Sequence, residues 1–179
     1  MASPSHAQIL REDVWVPDGA IVDMAVSGNT LYFGGNFSVV GPASGGGVVL
    51  NTTTGAGMQP YPGVVGHVFA AAPDGSGGWF IGGDFTYVRG QPRSNLAQID
   101  AFGNLTSWNP GTDRSVGTIE VSGTTVYVAG NFTTVGGLPR NGLAAINAGT
   151  GATTGWDPNQ NGLPFALAVS GGTVYVGGG

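Results

Sequence analysis

Gly34-Gly35-Asn36-Phe37 returns as Gly82-Gly83-Asp84-Phe85, then as Ala129-Gly130-Asn131-Phe132, and its opening glycines return once more as Gly177-Gly178. Asn36 and Asp84 are 48 residues apart, Asp84 and Asn131 are 47, and Gly130 and Gly178 are again 48. Self-similarity at a fixed period of this size is the signature of a repeat architecture, and it outranks any local reading of the chain.

Each copy is preceded by a short apolar run: Leu31-Tyr32-Phe33, Trp79-Phe80-Ile81, Val126-Tyr127-Val128 and Val174-Tyr175-Val176. Runs that are apolar on both faces predict strands sandwiched on both sides. The aromatic recurs in register at Tyr32, Phe80, Tyr127 and Tyr175, which predicts a packing ladder between stacked sheets, worth roughly 1.5–3 kcal/mol for each buried ring. A further apolar run lies upstream, at Met24-Ala25-Val26, Val68-Phe69-Ala70, Ile119-Glu120-Val121 and Leu167-Ala168-Val169. Ser27-Gly28, Ser122-Gly123 and Ser170-Gly171 join the two runs, and Pro73-Asp74-Gly75-Ser76-Gly77-Gly78 does so in the second copy. Glycine supplies the positive φ that a tight hairpin connection requires.

Downstream of the corner come a loop and a third strand, Val48-Val49-Leu50-Asn51, Ala97-Gln98-Ile99-Asp100 and Ala144-Ala145-Ile146-Asn147. A fourth strand is expected to end in Trp108-Asn109-Pro110 and Trp156-Asp157-Pro158, with Met58-Gln59-Pro60 as a degenerate copy. Proline cannot donate to a ladder, so this strand is the outer edge of its sheet or stops there. Trp15-Val16-Pro17 looks like another such end, placed ahead of the first complete repeat. Four strands per unit, this period and glycine-rich turns predict an all-β chain, a partial β-propeller of about three and a half four-stranded blades. The expected organisation is an N-terminal tail over 1–13 and repeats over 14–179, in approximate units 18–60, 61–110, 111–158 and a partial 159–179.

These residues resemble the delta-sixty repeat family, a bacterial β-propeller-type repeat. The likeness is cleanest at Val126-Tyr127-Val128-Ala129-Gly130-Asn131-Phe132-Thr133 and at Arg140-Asn141-Gly142-Leu143-Ala144-Ala145-Ile146-Asn147, and it runs from about Val14 to the end. The first unit departs most, with Gly45-Gly46-Gly47 where later units carry Arg93 and Arg140. The resemblance implies an extracellular or cell-surface bacterial protein, often part of a larger chain, and it carries no set of catalytic residues.

Composition narrows the partners. Only 8% of residues are charged, against roughly 25% in an average soluble protein. Lysine is absent; the five cations are Arg11, Arg89, Arg93, Arg114 and Arg140, and the net charge is -5. Nucleic-acid binding needs clustered cations to neutralise phosphates, so that class is excluded. A hydrophobic content of 41% argues against disorder. No apolar run reaches the 18 residues of a membrane span. Cysteine is absent, which removes disulfides and thiolate chemistry and leaves the redox compartment open. Met1-Ala2-Ser3-Pro4 lacks a basic segment followed by an apolar core, so no signal peptide is expected within this sequence.

No nucleophile elbow, zinc-helix motif or phosphate-binding glycine fingerprint is found, and no catalytic residue is assigned. His67 has no repeated or adjacent carboxylate in sequence and reads as a strand-end residue. The sharpest local pattern is Asp157-Pro158-Asn159-Gln160-Asn161-Gly162. It places Asp157, Asn159 and Asn161 as candidate metal ligands at alternate positions of a calcium-type loop, but the twelfth position is Ala168 rather than an acid. The plainer reading is a polar turn whose Asx side chains bond their own backbone. Asp84 and Arg93 stand nine residues apart, as do Asn131 and Arg140, a spacing that predicts a bond fixing the loop, with ligand binding as the alternative. Glu120 replaces Ala25 and Ala168 of neighbouring repeats and reads as a solvated strand residue, with a central channel as the alternative. The sequons at Asn36, Asn51, Asn104 and Asn131 are by-products of Asn- and Thr-rich turns.

The expected function is non-enzymatic: a β-propeller scaffold or binding module that displays loops for protein or glycan contacts on a cell or virion exterior. The alternatives are a fragment of a secreted polysaccharide-acting enzyme and a structural subunit of an extracellular assembly. No cofactor is expected beyond the candidate calcium. An incomplete set of blades leaves an unpaired edge at Thr173-Val174-Tyr175-Val176, so the expected partners are further propeller blades or copies of the chain itself.

Overall fold

The computed structural model describes residues 62–160 and 162–179, and before them 15–17, 20–27, 30–36, 40–42, 46, 50, 51, 53, 54 and 56. The chain forms two compact units that divide between residues 44 and 45. In the first, β1 (Trp15–Pro17) pairs with β4 (Val40–Pro42), and β2 (Ala20–Ser27) pairs with β3 (Thr30–Asn36).

The second unit holds three hairpins in the predicted places. β5 (Val64–Pro73) pairs with β6 (Trp79–Val88), β9 (Val116–Ser122) with β10 (Thr125–Gly130), and β14 (Pro164–Ser170) with β15 (Thr173–Gly178). A third strand adds to the outer side of two of them: β8 (Leu96–Ile99) on β6, and β13 (Leu143–Asn147) on β10. The loops after the corners form small hairpins, β7 (Gln91–Pro92) against the end of β6 and β11 (Thr134–Val135) against β12 (Leu138–Pro139). All these pairings are antiparallel, no helix occurs among the described residues, and none is thus long and apolar enough to cross a membrane.

The sheets stack face to face because both faces of each second strand are apolar. Ala72, Phe80, Leu96 and Trp108 of one sheet close a core with Val116, Ile119, Val126, Val128 and Ile146 of the next. Alternate residues of β10 face the other way, where Ala129, with Leu143, packs on Leu167 and, at the margin, Tyr127 on Val174. Side chains alternate across a strand, so one strand serves two cores. The predicted ladder is found at Phe80, which lies 4.8 Å from Trp108 with the rings tilted by 59°, and at Tyr127, which meets Trp156 edge-on at 5.4 Å. It ends at Tyr175, 59% exposed on a hairpin that has no third strand. The side chain of Tyr32 lies outside the described residues.

Gly-Gly at the corner now has a cause. In every hairpin the first strand carries one extra residue opposite the corner pair, which is Gly-Gly in three hairpins and Ala129-Gly130 in the other: Val22, Phe69, Gly117 and Phe165 stand at the register shifts. A bulge of this kind bends the strand and brings backbone against backbone. A Cβ on Gly83, Gly130 or Gly178 would collide with the carbonyl oxygen of His67, Ser115 or Leu163 respectively, the same register position in each repeat. The preceding glycine serves the neighbouring sheet instead. A Cβ on Gly82 would lie 2.8 Å from Val116 Cγ1 and 2.9 Å from Ile119 Cδ1.

The fourth strand is the part of the expectation that changes. Residues 105–108 meet the third strand through one bridge, Ile99 to Leu105, and a hydrogen bond from Thr106 N to Gln98 O; the next repeat has Ile146 to Thr153 and Thr154 N to Ala145 O. Pairing stops there because the tryptophan turns inward and Pro110 or Pro158 follows at once, unable to donate. Met58-Gln59-Pro60 lies outside the described residues. The backbone equivalent of Pro110-Gly111 and Pro158-Asn159 is Pro62-Gly63: Gly63, Gly111 and Asn159 share positive φ of 55°, 63° and 48°.

Candidate functional site

Where one sheet hands over to the next, the corner of the first meets the segment entering the second, and a cleft opens between them. The first cleft, about 460 Å³, is lined by Asp84, Thr86, Ser94, Asp113, Arg114 and Asn131, among others. The second, about 330 Å³, is lined by Asn131, Thr133, Asn141 and Gln160, with Leu163 at its edge. The two are built from the same places in successive repeats: Asn131 takes the position of Asp84, Thr133 of Thr86, Asn141 of Ser94 and Gln160 of Thr112. Asn131 belongs to both.

Buried Phe85 and Phe132 anchor the rims, and leave Asp84 and Asn131 exposed beside them. Asn95 ties the first cleft together. Its main chain bonds Gly83 and Phe85, its Oδ1 accepts from Phe85 N at 3.1 Å, and its Nδ2 donates to Thr112 O at 3.2 Å. Asn95 has φ of 65°, and Gly142 at the equivalent place has 66°. The backbone demand is therefore shared, and only the first cleft adds the side-chain bridge.

Asp113 ties the two clefts to one another. Its carboxylate accepts from Thr133 N at 2.8 Å, Thr133 Oγ1 at 2.6 Å and Thr134 N at 2.8 Å. Val65, at the same position one repeat earlier, meets Tyr87 in the β-ladder instead. In the third repeat the ladder shrinks to the Thr112–Val135 bridge, and the carboxylate satisfies the freed N–H groups. Desolvation pushes the Asp113 carboxyl up, but the bonds from Thr133 and Thr134 outweigh it and hold the group at about 2.

The sequence-predicted residues fall as follows. Arg93 does hold its loop, but through carbonyl groups: its terminal nitrogens donate to Pro92 O at 2.8 Å and Thr106 O at 2.7 Å. Arg140 repeats this with Pro139 O and Thr154 O, both at 2.6 Å. No ion pair joins Asp84 to Arg93 among the described residues. Burial pulls the Arg93 guanidinium below its ordinary value.

Asp157 sits 3.5 Å from Arg140, and its other oxygen accepts from Asn159 N at 3.1 Å, an Asx turn. Asn161 lies outside the described residues, so the third candidate calcium ligand has no position to report. No group of three or more His, Cys, Asp or Glu converges among the described residues. His67 stands inside β5 rather than at its start, opposite Asp84 in the ladder and stacked 6.2 Å from Phe69. Glu120 is half-buried opposite Tyr127.

Chemically the clefts offer amides, hydroxyls and one Asp–Arg environment to a ligand that hydrogen-bonds. Asn95 and Asp113 were not singled out by sequence because neither repeats: Gly142 and Val65 stand in their places. No family model matches the chain, and no curated protein matches it. It is similar to the crystal structure of the computationally designed Ika8 protein, with a TM-score of 0.52 and 18% identity over 90% of this chain. The chain spans 45% of the length of that structure, and a likeness at this identity concerns the fold: an all-β arrangement of antiparallel sheets.

Proposed function

We propose that this protein is a non-enzymatic β-propeller scaffold of the delta-sixty repeat type, a module that displays its corner clefts for protein or glycan contacts on a cell or virion exterior. The observation that carries the reading is the repetition of the cleft. First strands β5, β9 and β14 lie side by side in sequence order, each sheet stacks on the next, and the same polar rim reappears at each junction. First strands lying side by side support the reading of these sheets as propeller blades, and repeat architectures present binding surfaces along the row of repeats. Further blades, in the same polypeptide or from copies of the chain, complete the body.

Glycan arrays and calorimetric titration with any saccharide or protein ligand so identified test the proposal. Asp84→Ala and Asn131→Ala, which change exposed rim residues, should each weaken binding about tenfold, the worth of one or two ligand hydrogen bonds. Binding that ignores both substitutions, or turnover of a polysaccharide, would replace this reading with another.

A further inference from the structure

We propose that the exposed face of the β14–β15 hairpin docks a second copy of this chain, through that copy's β2–β3 hairpin; the inference rests on reading the repeats as blades. Both described junctions in the second unit join unlike faces. Ala70, Ala72, Gly82 and Phe80 receive the bulky Val116, Ile119, Val126 and Val128, and Ala129 and Tyr127 receive Leu167 and Val174. A face of small residues with one aromatic thus takes a face of branched aliphatic side chains.

The β14–β15 hairpin repeats the small face. Ala166 pairs with Gly177 and Ala168 with Tyr175, so all four lie on one side of it. Their equivalents are covered, Phe80 being 1% exposed, whereas Tyr175 is 59% exposed. Interiors are packed to crystal-like density, and two small faces laid on each other would leave voids. The hairpin therefore calls for a bulky face and not for its own likeness. In β2–β3 the register positions of Ile119, Val126 and Val128 are held by Met24, Leu31 and Phe33. No charged residue stands on the β14–β15 face, so covering it desolvates no ion. A contact between unlike surfaces is head-to-tail.

Sedimentation equilibrium over a wide dilution range provides the test. The wild-type chain should show at least twice the mass of one chain. Ala168→Arg and Met24→Glu should each reduce it to the single-chain mass, with Thr150→Arg, on an exposed turn, as the control that leaves it unchanged. An equimolar mixture of Ala168→Arg and Met24→Glu should regain the doubled mass, because the unaltered β2–β3 hairpin of the one can pair with the unaltered β14–β15 hairpin of the other. Tyr175→Glu, at an exposed position on the same face, substitutes for Ala168→Arg if that variant loses its far-ultraviolet β spectrum.

A wild-type single chain, or an oligomer indifferent to Ala168→Arg and Tyr175→Glu, overturns the inference. So does a single chain whose Tyr175 face is covered only when a further copy of residues 111–158 is fused after Gly179, which would assign the face to another repeat of a longer polypeptide. The clefts at Asp84 and Asn131 are untouched by these variants. A single chain that still binds ligand there sinks the pairing alone, and an oligomer that binds none sinks only the module.

Discussion

At the scale of single residues, the glycine pair does two separable jobs. Gly83→Ala forces a methyl group into the carbonyl of His67, and backbone cannot yield as a flexible side chain can. A loss of about 3 kcal/mol, the upper range for overpacking, is expected in urea unfolding. Gly177→Ala meets nothing nearer than the Ala166 Cβ at 3.5 Å, so its midpoint should move by no more than about 0.5 kcal/mol. Equal effects would mean that the bulge does not decide the motif. Asp113 gives a pH test. Its folded value of about 2 lies below the roughly 3.9 of an unfolded aspartate. Its contribution is therefore complete above about pH 4 and fades as pH falls towards 2. Asp113→Ala should cost about 1 kcal/mol at neutral pH, and should flatten the fall in stability with acid; a variant as acid-sensitive as the parent would contradict this. Neither Asp113 nor Asn95 was visible in the repeat pattern, because each replaces a backbone or glycine solution used elsewhere. Periodicity finds what recurs, and compensation by a single side chain does not.

Among elements, the hairpins and third strands were legible because their second and third strands are apolar on both faces, which writes a continuous apolar run into the chain. The fourth strand was not. Trp108 and Trp156 looked like strand ends, yet they are pins. Trp108 reaches across the junction, where its Nε1 donates to Asn147 O at 3.1 Å. Trp108→Phe should lose that bond, about 1 kcal/mol, and Trp108→Ala about 3–5 kcal/mol in thermal or chemical unfolding. Trp156 is only half-buried, so Trp156→Ala should cost clearly less than Trp108→Ala; the reverse order would show that the stacked faces are misassigned. The spacing of Asp84 and Arg93 pointed to the right loop and the wrong bond. A guanidinium can grip two carbonyl groups at once, and sequence spacing cannot tell a carboxylate partner from a peptide one. Arg140→Lys keeps the charge but loses the fork, and a destabilisation of roughly 1–2 kcal/mol is expected from the two bonds to Pro139 and Thr154.

Over the whole molecule, stability in a stack of repeats is a sum of units and their interfaces. The β9–β10–β13 sheet has a neighbour on each face, whereas β14–β15 has one. In Ala168→Arg, native-state hydrogen exchange should therefore release the amides of β15 well before those of β10; uniform protection would mean that the hairpin is held by something other than stacking. The unpaired edge at Thr173-Val174-Tyr175-Val176 was legible in the strand count, but the exposed face of Tyr175 was not, since its sequence context is the same as that of Tyr127 and only the neighbours differ.

The bulge has a practical corollary. It turns one residue per repeat out of the stacking scheme altogether, and Phe69 at 56%, Gly117 and Phe165 at 74% exposure are the result. Evolution or an engineer can rewrite these three outlets without disturbing any core. The chain has no thiol of its own, so a lone cysteine introduced at 69 or 165 would accept a dye or spin label at a defined rung, turning the row of repeats into a molecular ruler.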